Sequence, residues 1–344
     1  MENPNLSAAA TRNRATMAAM VLDQAGLPLR PMQLPVPQPL AHEVQIKVSA
    51  CGVCRTDLHI ADGELPVHKR PLVMGHEVVG RISAIGAGVR QFAVGDRVGV
   101  PWLGGTCGAC RYCGSGLENL CDAARFTGYD RDGGYAQYVV ADARFTFALP
   151  PRHDDLQAAP LMCAGLIGYR AYAMAGDAQH LGVYGFGAAA HIITQVARHQ
   201  GRRVYAFTRP GDVRSQQFAL SLGAHWAGGT DVPAPALLDA ALIFAPAGEL
   251  VPLALAAVRK GGTVVCAGIH MSEIPAFAYA LLWGERTVRS VANLTRADVL
   301  AFLAIAERID LQVSARAFPL AQANAALDAL RAGKIDGAAV LVMG

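Results

Sequence analysis

Residues 181–197 read LGVYGFGAAAHIITQVA. An apolar run, Leu181 to Tyr184, stops at Gly185-Phe186-Gly187, and from Ala188 onward the apolar residues recur at helical spacing. Gly185, Gly187 and Ala190 stand at the positions of a G-x-G-x-x-A pattern. Glycines alone are weak evidence in a chain that holds 36 of them, and a simple tight turn is the plainer alternative. The context carries more weight: strand before, helix after, and a second apolar strand near Val204. That order lets a helix N-terminus face the pyrophosphate of a dinucleotide.

Working outward, the alternation continues as a βαβ pattern. His180–Tyr184, a helix over Ala188–Gln200 and a strand over Arg203–Phe207 are followed by buried-strand candidates at Ala241–Ala245, Thr263–Ala267 and Val288–Ala292. A helix over Glu249–Arg259 intervenes. The expectation is an α/β class with a doubly wound parallel sheet. Beyond Thr295 come helices near Ala297–Arg308 and Leu320–Arg331 and a last strand, Ala338–Val342, which could extend either half.

From Met17 to about Pro151 the character is β-rich, with short alternating runs such as Val44, Ile46 and Val48 between Gly and Pro turns. Pro28 to Pro39 carries too many prolines for a helix or a central strand, so it is expected as a loop or an edge. The chain of 344 residues is long enough for two domains, and with no Gly/Ser linker between them a tight cleft is expected. A hydrophobic fraction of 53% and a net charge of only +3, without a Lys/Arg block, argue against a nucleic-acid partner. No apolar stretch reaches the roughly 18 residues of a membrane span, and residues 1–16 lack the apolar core of a secretory signal. They are expected to be a loose tail.

Cys107, Cys110, Cys113 and Cys121 follow C-x2-C-x2-C-x7-C in the Gly-rich stretch GGTCGACRYCGSG. Four thiolates at that spacing suit a closed, structural tetrahedral zinc; two disulfides or an iron–sulfur cluster are the alternatives. Three further groups lie far apart: Cys54 in CGVCRTDLH, His76 and Glu77 in GHE, and Cys163 in APLMCAG. Taken singly, each reads as an ordinary core residue. Taken together with the four-cysteine stretch and the glycine turn, they suit a zinc that keeps one position open.

On these motifs the chain, from Met17 to its end, resembles the zinc-dependent alcohol dehydrogenases of the medium-chain dehydrogenase/reductase superfamily, particularly the bacterial and yeast tetrameric type. The resemblance implies a GroES-like β-rich catalytic domain over 17–162 and 297–344, with a structural zinc lobe at about 104–122, and a Rossmann-type coenzyme domain over 163–296. It implies a catalytic zinc on Cys54, His76 and Cys163, with Glu77 as an exchangeable ligand and Cys51 left unliganded. Thr56 would contact the substrate oxygen, His59 would end a proton relay, and Asp57 would stand behind the ligands. Trp102 and Leu65 would line the substrate pocket. Leu65 replaces a Trp that many members carry, which suggests medium-chain or aromatic substrates, and Ile167 stands where a Thr usually meets the nicotinamide.

Two zinc ions per chain and a nicotinamide dinucleotide are therefore the expected cofactors. Where an NAD-preferring enzyme has an acid after the second strand, this chain reads AFTRPGD. Thr208 and Arg209, with Arg214 nearby, favour a 2′-phosphate and hence NADP(H), although Arg209 could simply face solvent and NAD(H) bind instead. The expected activity is hydride transfer between an alcohol or aldehyde and this coenzyme. A zinc-free quinone or enone reductase of the same fold and a nicotinamide-binding protein without turnover are the competing readings. A cytoplasmic homodimer or homotetramer, joined through the coenzyme domain, is the expected state.

Overall fold

The computed structural model describes residues 15–335 and 337–344. Six parallel strands form a sheet in the spatial order Trp226–Gly229, Arg203–Thr208, His180–Tyr184, Leu238–Ile243, Val258–Cys266 and Thr287–Ser290. Numbered by chain position this is 3-2-1-4-5-6, the doubly wound arrangement whose switch point lies between the first and fourth strands. Leu181, Val183, Ala240, Ala241, Leu242 and Ile243 are all fully buried. Helices cover both faces of such a sheet, which is why its central strands read as unbroken apolar runs.

The second sheet has seven strands and is organised by Glu43–Val53. Along one edge that long strand pairs antiparallel with Val78–Ile85, which leads on to Arg97–Val100 and Phe147–Ala148. Its other edge is shared. Tyr138–Asp142 takes residues 43–47, while the C-terminal strand Ala338–Val342 takes residues 50–53. The chain's last strand thus closes the sheet begun near its start, with Ala315–Pro319 parallel outside it.

Pro28 to Pro39 contains the strand Arg30–Pro35, at the edge of a small three-stranded sheet where missing N–H donors do no harm. The loose tail expected over 1–16 needs correction at its end. Thr16 already opens the strand Thr16–Leu22 and pairs with Pro35, and residues 1–14 lie outside the described residues. Two elements had no clear apolar signal: the strand Trp226–Gly229, whose short WAGG run lacks β-branched residues, and the largely polar helix Val213–Ser221. The helix expected from Leu320 begins at Ala323, because the residues just after Pro319 wind as a 3-10 turn.

Between the two sheets runs a nearly continuous helical stretch, Asp155–Pro160, a π-helical turn Leu161–Gly165, and Leu166–Met174. Helix Arg296–Ala306 packs on it through Val299, Phe302, Leu303 and Ala306. Gly165 makes that approach possible, since a Cβ there would lie 2.7 Å from the Phe302 ring. Phe302 is completely buried and meets Tyr169 at a centroid distance of 5.8 Å. Truncation to Ala should leave a cavity costing about 3–5 kcal/mol, expected as a lower urea midpoint with an unchanged m-value; a midpoint within error of the parent would contradict this packing.

Candidate metal centre and coenzyme cleft

Cys54, His76, Glu77 and Cys163 converge: one ligand atom from each lies within 4.8 Å of all the others. The sulfurs of Cys54 and Cys163 are 3.7 Å apart. Two thiolates on a tetrahedral ion with bonds of about 2.3 Å would stand at nearly this separation. Three local devices bring them there. Cys54 is the N-cap of helix Arg55–Asp62, and its backbone N–H donates to Asp57 Oδ2 at 2.8 Å in a capping box. His76 and Glu77 lie in the turn before Val78–Ile85, where Glu77 O accepts from Gly52 N at 3.1 Å. Cys163 sits in the π-helical turn that follows Pro160, and such turns recur at functional sites because they re-aim a side chain out of helical register.

A glycine cradle makes the convergence possible. A Cβ on Gly52 would fall 1.7 Å from Glu77 Oε2, and one on Gly134 would fall 2.7 Å from Cys51 Sγ. Gly75, at φ +96°, has Cys51 and the Tyr135 ring against it. Cys51 is therefore a fully buried packing group, clear of the cluster that holds Cys54. Tyr135 and these glycines gave no signal in motif spacing, because their role is to leave room.

Electrostatically the cluster suits a cation. The hydrogen bond from Cys163 holds the Cys54 thiol well below its usual range, helped by His76 against the effect of burial, and the same bond pushes Cys163 well up. Burial raises the Glu77 carboxyl well above a normal carboxylate. For His76 burial opposes protonation, but the charges of Asp57 and Cys54 outweigh it. Both His76 ring nitrogens are buried without a hydrogen-bond partner, with Asp57 Oδ1 3.4 Å from Nδ1. An orphaned imidazole at a point where two sulfurs and a carboxylate meet fits a metal ion taken by Nε2, with Asp57 orienting the ring.

Thr56 is buried, with its hydroxyl 3.8 Å from Cys54 Sγ. His59, one turn further along the helix, binds Glu64 through Nδ1 and meets the His270 ring at 4.6 Å. Trp102 stands edge-on to His76 at 4.8 Å and stacks with Phe126 and Tyr129. Leu65 lines a small cavity with Ile60, His68 and Tyr129.

The other four cysteines form a second cluster, also with all ligand atoms within 4.8 Å. Sulfur separations of 3.5 Å for Cys110–Cys113, 3.5 Å for Cys107–Cys121 and 3.9 Å for Cys107–Cys113 are too long for disulfides and leave space for one ion, not for a cluster of irons. Backbone N–H groups of Ala109 and Cys110 pull the Cys107 thiol down to about 6, which favours the thiolate a metal needs.

In the parallel sheet, Gly185 adopts φ +84°, and a Cβ there would lie 2.8 Å from Ala245 Cβ, so the turn needs glycine. Gly187 caps helix Ala188–His199 and faces open space, while Ala190 is fully buried under the helix. Thr208 is buried and its hydroxyl is committed to Arg209 O at 3.1 Å and Gln216 Nε2 at 3.1 Å. Arg209 and Arg214 are exposed just beyond it.

Comparison with known proteins agrees with this geometry. Residues 40–151 match the family model for the alcohol dehydrogenase GroES-like domain. The chain is 45% identical over 341 residues to the "Probable alcohol dehydrogenase AdhA" of Mycobacterium tuberculosis (strain CDC 1551 / Oshkosh), covering 96% of this chain and 98% of that protein. Among solved structures, a cobalt- and zinc-bound thermostable alcohol dehydrogenase from Pyrobaculum aerophilum superposes with a TM-score of 0.86 at 26% identity, over 95% of this chain and 100% of the other. Acetophenone reductase from Geotrichum candidum, in complex with NAD, superposes with a TM-score of 0.84 at 26% identity, over 95% and 97%. With likeness in sequence along nearly its whole length and in structure across both sheets, the chain belongs to the zinc-dependent alcohol dehydrogenases of the medium-chain dehydrogenase/reductase superfamily.

Proposed function

We propose that this protein interconverts alcohols with aldehydes or ketones using a nicotinamide dinucleotide, with the reaction centred on Cys54, His76 and Cys163. The observation that carries the reading is the meeting of these three residues and Glu77 within 4.8 Å. Zinc held there would supply a Lewis acid to the substrate oxygen. Thr56 hydrogen-bonds that oxygen and passes its proton outward without taking charge, and His59, braced by Glu64, delivers the proton to solvent. Glu77, whose carboxylate lies in the same cluster, would be available as a further ligand to the ion. Cys107, Cys110, Cys113 and Cys121 would hold a second ion, and with all four ligands supplied by the protein its role would be to shape the lobe. A division into a catalytic domain over 17–162 and 297–344 and a coenzyme domain over 163–296 is supported by the strands of the parallel sheet, all of which lie between His180 and Ser290, while helix Arg296–Ala306 packs on Leu166–Met174 across the proposed boundary.

Exposed Arg209, in place of an acid at the end of the second strand, supports a preference for a 2′-phosphorylated coenzyme. Thr208 contributes less, its hydroxyl being already bonded. Among the described residues, the strand Thr287–Ser290 leaves one edge of the parallel sheet unpaired, and in the stretch of chain just before it Tyr279 and Trp283, each 67% exposed, meet edge to face. That edge supports a homodimer through the coenzyme half, alone or within a tetramer. Eight unpaired cysteines support a reducing, cytoplasmic setting, and no helix of the described residues is long and apolar enough to cross a membrane.

Metal analysis should find two zinc ions per chain. Cys54→Ser should retain one zinc and a folded protein while losing turnover, and Cys110→Ser should lower the melting temperature; full activity in Cys54→Ser would sink the assignment. kcat/KM should favour NADPH over NADH by at least about tenfold, worth ~1.4 kcal/mol, and Arg209→Ala should erase most of that margin. An equal or reversed preference would remove the role given to Arg209. In a substrate panel, medium-chain or aromatic alcohols should outperform ethanol; a panel led by ethanol would contradict the pocket expected from Leu65 and Trp102.

A further inference from the structure

The four-cysteine lobe reaches the rest of the protein through two polar side chains that a surface lobe would ordinarily leave in water. Glu118 and Asn119 occupy the single 3-10 turn just before Cys121, and they are only 4% and 7% exposed. Asn119 Nδ2 donates to the Ala292 carbonyl at 2.6 Å. Glu118 Oε1 accepts from the Arg296 backbone N–H at 3.0 Å and from its Nε at 3.1 Å. Arg296 opens helix Arg296–Ala306, so the carboxylate meets the positive end of that helix as well as a guanidinium.

The two anchors bracket the segment Ala292–Thr295. It begins where the sixth parallel strand ends, as Val291 N donates to Cys266 O at the end of the fifth. In a doubly wound sheet the second half of a dinucleotide lies beyond the carboxyl ends of the fourth to sixth strands. Asn293 in this segment is held at φ +61°, with both side-chain polar atoms buried and unpartnered. Outside glycine that region carries backbone strain, least for Asn, and it persists where the surroundings hold it. Beyond the segment, Asp298 caps the helix at Thr295 and pairs with Arg170 at 2.6 Å, on the helix that continues from Cys163. The backbone bordering the coenzyme is thus clamped from one side by the cysteine lobe and from the other by the helix behind the catalytic cluster.

We propose that Asn119 and Glu118 are positioning residues that couple the four-cysteine lobe to the coenzyme site, so that an ion in the lobe and a bound dinucleotide each strengthen the other's hold. The inference rests on the function proposed above. An ion on Cys121 fixes the turn that carries both side chains. Without it the turn relaxes, Ala292 O and Arg296 N lose their partners, and the strained segment between them is free to move away from the coenzyme. Thermodynamic linkage makes the effect reciprocal: coenzyme must raise the lobe's affinity for its ion by the same factor that the ion raises coenzyme affinity, and because coenzyme holds the turn in place, that gain is expected as slower release of the ion.

The test uses the full-length, zinc-loaded protein. Zinc content and the Kd for NADPH are measured first, and then zinc release to the chelating dye 4-(2-pyridylazo)resorcinol is timed with and without saturating NADPH. The Cys54→Ser protein is run alongside, so that the released ion comes from the lobe alone. NADPH should slow that release about five- to tenfold. In Asn119→Ala, and in the isosteric Asn119→Asp, which lacks the donor, the protection should fall below twofold. The KM and Kd for NADPH should rise about fivefold while kcat changes less than twofold, a split that general destabilisation would not produce. Glu118→Gln, which keeps an acceptor for Arg296 N, should fall between. Normal zinc content and coenzyme binding with unprotected release, or variants that keep full protection, overturn the coupling alone; absence of zinc, or of binding to both NADPH and NADH, in the parent protein overturns the functional reading and the coupling with it, and a parent that binds only NADH is tested with NADH throughout.

Discussion

Two sulfurs, an imidazole and a carboxylate held within 4.8 Å of one another in a buried site can keep their deprotonated, ligating forms there only with a cation among them. The rest of the molecule can be understood as the means of imposing that convergence. Cys54 comes from the end of the longest strand of the β-rich sheet, His76 and Glu77 from the turn before its neighbour, and Cys163 from the helical stretch that joins this sheet to the parallel one. Cys54 and His76 are brought together by one pair of neighbouring strands, but Cys163 reaches them only when both sheets are formed and packed together. The catalytic centre and the two-sheet fold are in this sense one structural decision.

Space is the second constraint. Glycine at 52, 75 and 134 lets the backbone pass so close to Glu77, Tyr135 and Cys51 that any side chain would collide. The π-helical turn does the equivalent work on the other wall, shifting Cys163 out of the register an α-helix would give it. Asp57 serves twice, capping the helix that starts at Cys54 and standing against His76. Local helix chemistry and metal chemistry thereby share a single carboxylate. The four-cysteine lobe is built differently, from one continuous stretch, and its ties to the core run through Glu118 and Asn119 to the end of the parallel sheet.

Much of this was legible in the amino-acid sequence, and what was legible was local or motif-borne. The strand His180–Tyr184, the turn at Gly185 and Gly187, and the helix from Ala188 are contiguous, so spacing alone reveals them. The same holds for Cys107 to Cys121, four ligands on a short loop. The strand Trp226–Gly229 and the helix Val213–Ser221 were not legible, because their positions are set by the neighbours they pair and pack with, not by their own apolar pattern.

By itself, then, the sequence determined the parallel-sheet half, the β-rich half and the cysteine loop, since each is specified by periodicity or ligand spacing within a short window. Only the tertiary structure decided that Cys54, His76 and Cys163 meet while Cys51 packs under glycine, and that Ala338–Val342 closes a sheet begun near residue 43. It also turned Thr208 inward and tied the cysteine lobe to residues 292–296. These are contacts between residues far apart in the chain, fixed by the close packing of two sheets about one cleft, and no spacing along a single segment encodes them.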